Sequence, residues 1–396
     1  MSRVLITNAS VVKLDKVVRQ QTVTLIDDRI QSVGPTDAVS ARDADRVIDI
    51  NGNYLAPGLI DLHIHGLHGL RLDAGPDSLQ TICELLPRYG VTSFLPTLTP
   101  WARDTDTRSV ASLAQASCPG SQILGFHLES PFLSLSGGMP PEALGTVGKE
   151  QAQALIEAVR PHTAVFSISP EFPHILDLIQ LMTATGAPVF ITHTGANVEQ
   201  TQAAIEAGAR HATHFYDVFV APEETEPGVR PCGVVEAILA DPRVSVDFIL
   251  DGVHVHPIAV KMALQCKGPD RVCLITDANI VAGLPPGRYS FGNREVESSY
   301  EGGPARLTEH SHRPGGLAGS GLTMDRAVRN AIAMLDIELP QAIRMASANP
   351  AQVLGLQGQK GQVEAGFDAD LVVLNEALEV QQTWIAGECV YESAAQ

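Results

Sequence analysis

The chain has 396 residues, of which 44% are hydrophobic and 18% charged, and its formal net charge is −18 with a pI of about 5.1. This length exceeds one ordinary domain but suits one large α/β barrel with a small second domain. The acidic balance disfavours nucleic acid and anionic membranes as partners, and an anionic substrate would need a local basic residue.

The six cysteines are scattered and form no C-x-x-C pair, which argues against a thiolate zinc site and against a disulfide framework. The N-terminal stretch "MSRVLITNASVVKLDK" lacks the apolar core of a signal peptide. No run reaches the roughly 20 apolar residues of a membrane span. We therefore expect a cytoplasmic protein with a small-molecule substrate.

Strands are predicted at both ends of the chain. Segments such as "RVLITNASVV" and "ADLVVL" are rich in branched apolar residues and are bounded by Asn, Asp and Gly. Residues 1–55 and 358–396 are therefore predicted to form one small β domain in which the two termini meet.

The middle of the chain, residues 56–357, alternates between two patterns. Runs such as "VTSFLPTLT", "APVFITHTG" and "VSVDFILDG" have strand length, and segments such as "EQAQALIEAVR" have helical spacing. This alternation, repeated about eight times, is typical of a (β/α)8 barrel. A doubly wound sheet is the alternative, but no G-x-G-x-x-G follows an early strand. Residues 281–316 interrupt the rhythm and are predicted to form an excursion near the site.

Titratable side chains stand at the ends of the predicted barrel strands, where the active site of such a barrel lies. In "PGLIDLHIHG", His63 and His65 share one face because side chains alternate along a strand, and Gly66 permits a sharp exit. The strand-end residues are His63, His65, Glu129, His193, His214 and Asp277. Four histidines and a glutamate predict a divalent-metal site, with Asp277 as the carboxylate that exchanges protons with water.

The remaining histidines carry weaker signals. His254 also follows an apolar strand, and spacing alone leaves its role open between structure and function. His127 lies two residues before Glu129 and is predicted to support it, whereas His68 and His256 are undecided. A structural role is predicted for His162, His174, His211, His310 and His312.

Motifs along nearly the whole chain stand in an order found in a known family. They are "PGLIDLHIHG", "GFHLESPF", "HATHFYDVF", "DGVHV", "LITDA", "LAGSGLTM", "ASANPAQVLGL" and "GFDADLVVL". In this set the chain resembles the N-acetylglucosamine-6-phosphate deacetylases of the amidohydrolase superfamily. The resemblance implies a distorted (β/α)8 barrel with a β-sandwich, a homodimer, and hydrolysis of the N-acetyl group of an amino sugar phosphate.

The resemblance also implies a metal centre. Glu129, His193 and His214 match the family's main metal ligands. Members with H-x-H at the positions of His63 and His65 hold a second metal and share Glu129 between the two. The resemblance therefore implies one or two divalent metals per chain, most simply zinc, with iron or another transition metal as alternatives.

Further roles come from the same resemblance. Asp277 matches the catalytic carboxylate, His254 matches the histidine that polarises the scissile carbonyl, and Arg230 matches the arginine that binds the sugar phosphate. The predicted substrate-binding residues are Arg230, Asp217, Val218, Ser130, His254 and Leu317.

Departures from the family's pattern all lie on the substrate side. Ser130 stands where the family usually has glycine, Met139 stands near a usual histidine, and Asp217 replaces an asparagine. The phosphate arginine stands in "RPCG" rather than in R-E-P-G. The hydrolytic chemistry is therefore better defined than the substrate.

Three functions compete at this point. The first is a metal-dependent deacetylase of an N-acetyl amino sugar 6-phosphate. The second is an amidohydrolase that acts on another N-acyl substrate, such as an unphosphorylated amino sugar or an N-acyl amino acid. The third is a metal-binding barrel without catalysis, against which Asp277 argues because a pure binder needs no base there. A cyclic-amide hydrolase is disfavoured because no lysine stands at a strand end to bridge two metals.

Overall fold

The structure is a computed structural model that describes residues 2–38, 44–100, 104–145, 148–292 and 294–394. Its strands, in chain order, are β1 (Arg3–Val12), β2 (Val17–Ile26), β3 (Arg29–Pro35), β4 (Arg46–Asp49), β5 (Tyr54–Pro57), β6 (Leu59–Ile64), β7 (Gly66–Leu67), β8 (Leu70–Arg71), β9 (Val91–Leu98), β10 (Gln122–Ile123), β11 (Phe126–Leu128), β12 (Ala164–Ile168), β13 (Val189–Ile191), β14 (Ala209–Ala212), β15 (Ser245–Ile249), β16 (Val272–Ile275), β17 (Gly287–Phe291), β18 (Arg294–Ser298), β19 (Pro304–Leu307), β20 (Leu317–Ser320), β21 (Leu371–Leu374), β22 (Val380–Ile385) and β23 (Glu388–Glu392). Its α-helices are α1 (Pro76–Leu85), α2 (Asp104–Ala114), α3 (Lys149–Ala158), α4 (Ile175–Thr183), α5 (Val198–Ala207), α6 (Val234–Ala240), α7 (Pro257–Lys267), α8 (Met324–Leu335), α9 (Leu339–Ala346) and α10 (Ala348–Val353). Short 3-10 helices span Thr36–Ala38, Leu72–Ala74, Leu86–Tyr89 and Pro141–Ala143.

Eight parallel strands of the described chain form a barrel in the order β6-β9-β11-β12-β13-β14-β15-β16, with helices α1 to α7 between successive strands. A parallel bridge between Ile64 and Ala278 joins the end of β6 to the segment after β16. Asp61 of β6 stabilises the contact between the same two segments, because its carboxylate accepts a hydrogen bond from the Thr276 hydroxyl at 2.6 Å. This arrangement confirms the predicted barrel.

The barrel strands are buried along most of their length because both of their faces are covered. All eight residues of β9, "VTSFLPTL", are buried, as expected of a parallel strand between a packed interior and a layer of helices. The helices bury one stripe only. In α4 the buried residues Ile175, Leu178, Ile179 and Met182 follow the spacing of a single helical face.

The two ends of the chain form a separate sheet in the order β23-β22-β21-β5-β1-β2-β3, with β4 paired to β1. This sheet has its own apolar core, in which Ile6, Leu25, Leu371 and Trp384 are fully or almost fully buried. Both termini therefore build the second domain, and its strands belong to one hydrogen-bonded sheet. The domain limits at 55/56 and 357/358 stay a prediction.

The excursion predicted at 281–316 contains three strands of a small antiparallel sheet, β17-β18-β19-β20. Its buried residues Val281, Val296 and Leu307 belong to a separate apolar cluster, and Asn293 of this segment lies outside the described residues. The sheet stands beside the barrel mouth, where Phe291 reaches the central pocket. No helix among the described residues is both long and apolar enough to cross a bilayer.

Candidate metal and catalytic site

The predicted site residues stand at the carboxyl ends of barrel strands. His63 is the fifth residue of β6, and Glu129 directly follows β11. His193 and His214 each lie two residues beyond their strands, β13 and β14. Parallel strands place their carboxyl ends at one rim of a barrel, so these side chains reach the same mouth.

Three of these residues have a backbone conformation that side chains rarely adopt. The φ angles are 50° at His193, 36° at His214 and 43° at Asp277, all in the left-handed region. Such strain persists where the surrounding structure fixes it, and it concentrates at functional sites. The conformation turns each chain out of its strand and directs the side chain across the barrel mouth.

Four imidazole nitrogens surround the Glu129 carboxylate. Its Oε1 lies 3.2 Å from Nε2 of His214 and 3.3 Å from Nε2 of His193. The Nε2 of His63 lies 3.7 Å from Oε1, and the Nε2 of His65 lies 3.4 Å from Oε2. Two ligands of a tetrahedral zinc ion, each roughly 2.0–2.1 Å from the metal, stand about 3.3–3.4 Å apart. The spacing therefore fits donors arranged around a divalent cation.

Two overlapping groups of donors can be distinguished. His63, Glu129 and His214 form one, and His63, His65 and Asp277 form the other, with the donor atoms of each group within 4.8 Å of one another. Asp277 Oδ1 lies 3.5 Å from Nε2 of His63 and 3.3 Å from Nε2 of His65. These donors suit one ion or two neighbouring ions.

Burial and neighbouring charges set the protonation of the donors. Burial lowers the pKa of His63 well below its ordinary value. Burial opposes ionisation of Glu129, but the surrounding histidines, His63 first, hold the pKa of Glu129 well below its usual range. Burial also opposes protonation of His65, but hydrogen bonds to Asp277 and Glu129 raise its pKa to about 10. Glu129 is therefore ionised, which is the form that ligates a metal, whereas His65 would lose its proton on binding a metal.

Asp247, in the middle of β15, orients two donors from below. It accepts hydrogen bonds from the backbone N–H of His214 at 2.5 Å and from the Thr213 hydroxyl at 3.2 Å. Because that hydroxyl donates to Asp247, it accepts from Nδ1 of His63 at 3.1 Å and leaves Nε2 for the site. His211 Nε2 is 2.7 Å from the same carboxylate. Sequence reasoning missed Asp247, although an aspartate within the apolar run "VSVDFIL" signals a buried, partnered carboxylate.

His193 is oriented through its other ring nitrogen. Its Nδ1 donates to the Leu135 carbonyl at 2.8 Å, which fixes the tautomer. The neighbouring loop packs directly on the ring, because a Cβ at Gly137 would stand 2.7 Å from the His193 Cε1. Glycine at that position therefore lets the loop approach the site.

His254 presents an unused nitrogen to the pocket. Its Nδ1 lies 2.7 Å from Asp251 Oδ2, and Asp251 also accepts the backbone N–H of His254 at 2.9 Å. Burial opposes protonation of His254, but Asp251 raises its pKa above the ordinary value. The Nε2 is buried and has no hydrogen-bond partner among the described residues. A donor held in this way is suited to a substrate carbonyl.

One pocket at the barrel mouth is lined by His65, Glu129, His193, His214, His254 and Asp277. The fully buried His63 contacts Glu129 and Asp277 of this set. We call the strand-end set the metal-donor floor; it consists of His63, His65, Glu129, His193, His214 and Asp277. We call the loop side of the same pocket the substrate wall; it consists of Asp73, Met139, Asp217, Val218, Phe291, Arg294 and Leu317. A concave site with a few convergent polar groups is typical of small-molecule recognition.

Comparison with known proteins agrees with this geometry. The model of the Amidohydrolase family matches residues 54–390. The chain belongs to the amidohydrolase family. It is 36% identical to N-acetylgalactosamine-6-phosphate deacetylase of Escherichia coli O157:H7, over 86% of this chain and 89% of that protein. It is 33% identical to N-acetylglucosamine-6-phosphate deacetylase of Vibrio furnissii, over 95% of this chain and 92% of that protein.

A solved structure extends the comparison to the fold. The crystal structure of N-acetylglucosamine-6-phosphate deacetylase from Pasteurella multocida matches with a TM-score of 0.87 at 27% identity, over 98% of this chain and 99% of that one. The resemblance drawn from the motifs is thereby confirmed, and with it the fold class. The amidohydrolase family is metal-dependent, in agreement with the donors found here.

Some of the predicted substrate-binding residues of this amidohydrolase line the pocket and others do not. Asp217, Val218, His254 and Leu317 line the pocket. Two residues are placed elsewhere. Ser130 is fully buried, and its hydroxyl donates to the Pro100 carbonyl at 2.7 Å.

Arg230 also stands outside the pocket. Its side chain is 83% exposed and pairs with Glu236, with 3.2 Å between Nη2 and Oε1. The segment around it follows the "HFYDVF" turn and precedes α6. In this chain the predicted phosphate arginine therefore does not line the cavity that contains the metal-donor floor.

Three further histidines, which lack a clear metal-binding prediction from the sequence, lie outside the pocket, each with a different hydrogen-bond partner. His127 is fully buried and hydrogen-bonds Ser167 at 2.7 Å beneath the site. The undecided His256 caps α7 by accepting from a backbone N–H, and His68 contacts the Tyr89 hydroxyl at 2.6 Å. Neither lines the pocket.

Proposed function

We propose that this amidohydrolase is a metal-dependent deacetylase that removes the N-acetyl group from an N-acetyl amino sugar 6-phosphate. The observation that carries the proposal is the convergence of four imidazole Nε2 atoms on Glu129, within a pocket that also contains Asp277 and the unpartnered His254 Nε2. The names of the relatives from Escherichia coli and Vibrio furnissii support this substrate class.

The donor set fits a transition metal. Neutral imidazoles with one carboxylate suit zinc, iron and related divalent ions, whereas magnesium and calcium prefer oxygen ligands. Glu129, His193 and His214 would hold one ion, and His63 and His65 would hold a second that shares Glu129. We propose zinc as the resident metal. A divalent metal bound there supplies Lewis-acid chemistry, which activates water towards an amide carbonyl.

The chain's own residues complete the reaction. Asp277 stands at the floor with its Oδ1 directed at the histidine pair, and it takes the proton of the attacking water. It returns that proton to the leaving amine as the carbon–nitrogen bond breaks. His254, held by Asp251, donates through Nε2 to the carbonyl oxygen as negative charge develops there.

One observation favours a second candidate, an amidohydrolase of an uncharged N-acyl substrate. Asp217 lines the pocket and Arg230 does not. A carboxylate about 4 Å from a phosphate costs roughly 1–4 kcal/mol per unit charge, depending on the local dielectric. That cost is comparable to one charge-assisted hydrogen bond, about 1.5–3 kcal/mol. The pocket therefore supports hydrolysis of an N-acetyl group more strongly than it supports a phosphate on the substrate.

The test is a substrate panel on the zinc-loaded enzyme. Acetate release is measured from N-acetylglucosamine and N-acetylgalactosamine, each with and without the 6-phosphate, and from N-acetyl amino acids. We expect turnover of an amino sugar phosphate, with kcat/KM above that of its neutral form. Equal values for the phosphorylated and neutral sugars would favour the second candidate. Turnover of none of these compounds would contradict both sugar assignments.

Two further proposals follow the family resemblance. We propose a homodimer, which light scattering of the purified protein would test. We also propose a cytoplasmic location, in keeping with the six cysteines, all of which are free thiols. Cell fractionation would test that location.

A further inference from the structure

Two of the six cysteines meet at the amino end of the barrel, away from the metal-donor floor. Cys83 lies in the last turn of α1, and Cys118 lies in the connector of residues 115–121 that joins α2 to β10. The S–H of Cys83 donates a hydrogen bond to the sulfur of Cys118. Neither residue lines the pocket, so this pair of thiols takes no part in the chemistry described above.

The backbone holds the connector against the end of α1. The N–H of Ser121 donates to the Cys83 carbonyl at 3.0 Å, and the Ser121 hydroxyl donates to the Val91 carbonyl at 2.7 Å. A Cβ at Gly120 would stand 2.4 Å from the Cys83 carbonyl oxygen, so glycine at this position permits the close approach. These contacts fix the connector beside Cys83 and keep the two thiols adjacent.

The two thiols differ in exposure and in protonation. Cys83 is fully buried, whereas Cys118 is partly exposed. Donation of the hydrogen bond to Cys118, together with burial, raises the pKa of Cys83. Acceptance of the same bond lowers the pKa of Cys118, although burial acts in the opposite direction. Cys118 is therefore the thiol that ionises more readily and that an oxidant can reach, and Cys83 is a second thiol in contact with it.

We propose that Cys118 and Cys83 are a redox-modification site, at which a hydroperoxide converts the two thiols into a reversible intrachain disulfide. Reactive cysteines of this type are accessible, ionise readily and stand next to a second, resolving cysteine. In reducing compartments, disulfides of this kind are usually transient. The proposal does not depend on the proposed function, because it concerns residues outside the pocket.

The reaction has two steps. The Cys118 thiolate attacks one oxygen of hydrogen peroxide, the O–O bond breaks, hydroxide leaves, and Cys118 becomes a sulfenic acid. The Cys83 sulfur then attacks the Cys118 sulfur, the S–O bond breaks, and the hydroxyl leaves with the Cys83 proton as water. The peroxide gains two electrons in total, and the two sulfur atoms lose them.

The experiment treats the zinc-loaded native protein with hydrogen peroxide, alkylates the remaining thiols and maps tryptic peptides by mass spectrometry without reduction. Cleavage after arginine and lysine places Cys83 in residues 72–88 and Cys118 in residues 109–149, each as the one cysteine of its peptide. We expect the two peptides to be joined, with a mass two hydrogen atoms below their sum. Dithiothreitol should separate them again.

Two variants separate the roles of the two thiols. Cys83→Ser removes the resolving thiol, so Cys118 should be oxidised further to a sulfinic acid that dithiothreitol does not reverse. Cys118→Ser removes the accessible thiol, so the buried Cys83 should stay reduced under the same treatment. Because Cys118 is partly exposed, this second variant keeps the test available if Cys83→Ser fails to fold.

Cys389→Ser is the matched control. Cys389 is also partly buried, but its thiol donates to a backbone carbonyl, that of Tyr391, at 3.4 Å instead of to a second thiol. The joined peptides should form in this variant as they do in the native protein.

The proposal is overturned if residues 72–88 and 109–149 stay separate in the peroxide-treated native protein, whether Cys118 is unchanged or carries oxygen. That result would leave the thiol contact with a packing role only. Equal amounts of sulfinic acid at Cys118 in the native protein and in Cys83→Ser would also contradict it, because Cys83 would then not resolve the sulfenic acid.

Discussion

The metal-donor floor and the substrate wall share one pocket but are built differently. The floor consists of side chains at the ends of buried parallel strands, and each of His63 and His193 is oriented by a hydrogen bond through Nδ1. The wall comes from loops and from the small sheet, in which Phe291 of β17 pairs with Arg294 of β18. We therefore propose that the rigid floor carries the reaction and that the irregular wall selects the substrate.

This difference predicts how substitutions should divide. Changes in the floor should remove metal or turnover for every substrate. Changes in the wall should alter the ranking of substrates and leave the metal in place. A floor variant that changed only the substrate specificity would contradict this prediction, as would a wall variant that lost the metal.

The largest effect is expected from His214→Ala. This change removes a nitrogen 3.2 Å from the Glu129 carboxylate, so bound zinc and acetate release should be lost together. Metal content by elemental analysis and acetate release are the measurements. The control is His310→Ala, because the His310 side chain is 86% exposed and lies outside the pocket. Normal turnover in His214→Ala would remove this histidine from the metal centre.

Asp277→Asn should separate the metal from the proton transfer. The amide keeps the shape but cannot accept a proton, so kcat should fall by roughly 10²–10⁴-fold while zinc and fold are retained. Pre-steady-state acetate release and elemental analysis on the same preparation measure the two properties. A near-normal kcat would assign the base to another residue, with His254 the next to test.

Asp247→Asn should lower the zinc affinity of the site, although Asp247 is not itself a metal ligand. The bonds to Thr213 and to the His214 backbone orient two donors, and loss of such support typically costs 10–100-fold in metal affinity. Competition with a chelator measures the zinc affinity. Ser245→Ala is the control, because the Ser245 hydroxyl contacts His211 at 2.7 Å in the same buried layer. Equal zinc affinities in the two variants would leave Asp247 with a packing role.

The smallest effect is expected from Arg230→Ala. Its exposed ion pair with Glu236 belongs to a class worth about 0.2–1 kcal/mol, so kcat/KM should change less than about fivefold for either form of the sugar. The comparison is made with the phosphorylated and neutral sugars in parallel. Loss of the phosphate preference in this variant would assign phosphate recognition to Arg230.

The sequence predicted the floor well for a geometric reason. Strand–helix alternation fixes where strands end, and parallel pairing brings those ends to one rim, so His63 and Glu129 could be placed together without coordinates. Asp277 was found in the same way. The fold class followed from the same pattern, and the separate terminal sheet followed from strand-rich segments at both ends.

The wall could not be predicted in this way. Arg294 lies 165 positions from Glu129 in the chain and reaches the pocket only because β18 folds back over the barrel mouth. No periodic pattern in the sequence predicts that a strand such as β18 folds back to the barrel mouth. Motif matching predicts phosphate binding by Arg230, whose side chain is exposed and outside the pocket in the single chain, and this role stays a prediction.

The most direct test of the central claim is a metal titration of the native enzyme. The protein is stripped with a chelator and zinc is added in steps, while acetate release from N-acetylglucosamine 6-phosphate and its galactosamine counterpart is followed. The account predicts negligible release from the stripped protein and a rise to a plateau between about one and two equivalents, as two overlapping donor groups allow. Full acetate release from the thoroughly stripped protein would contradict it.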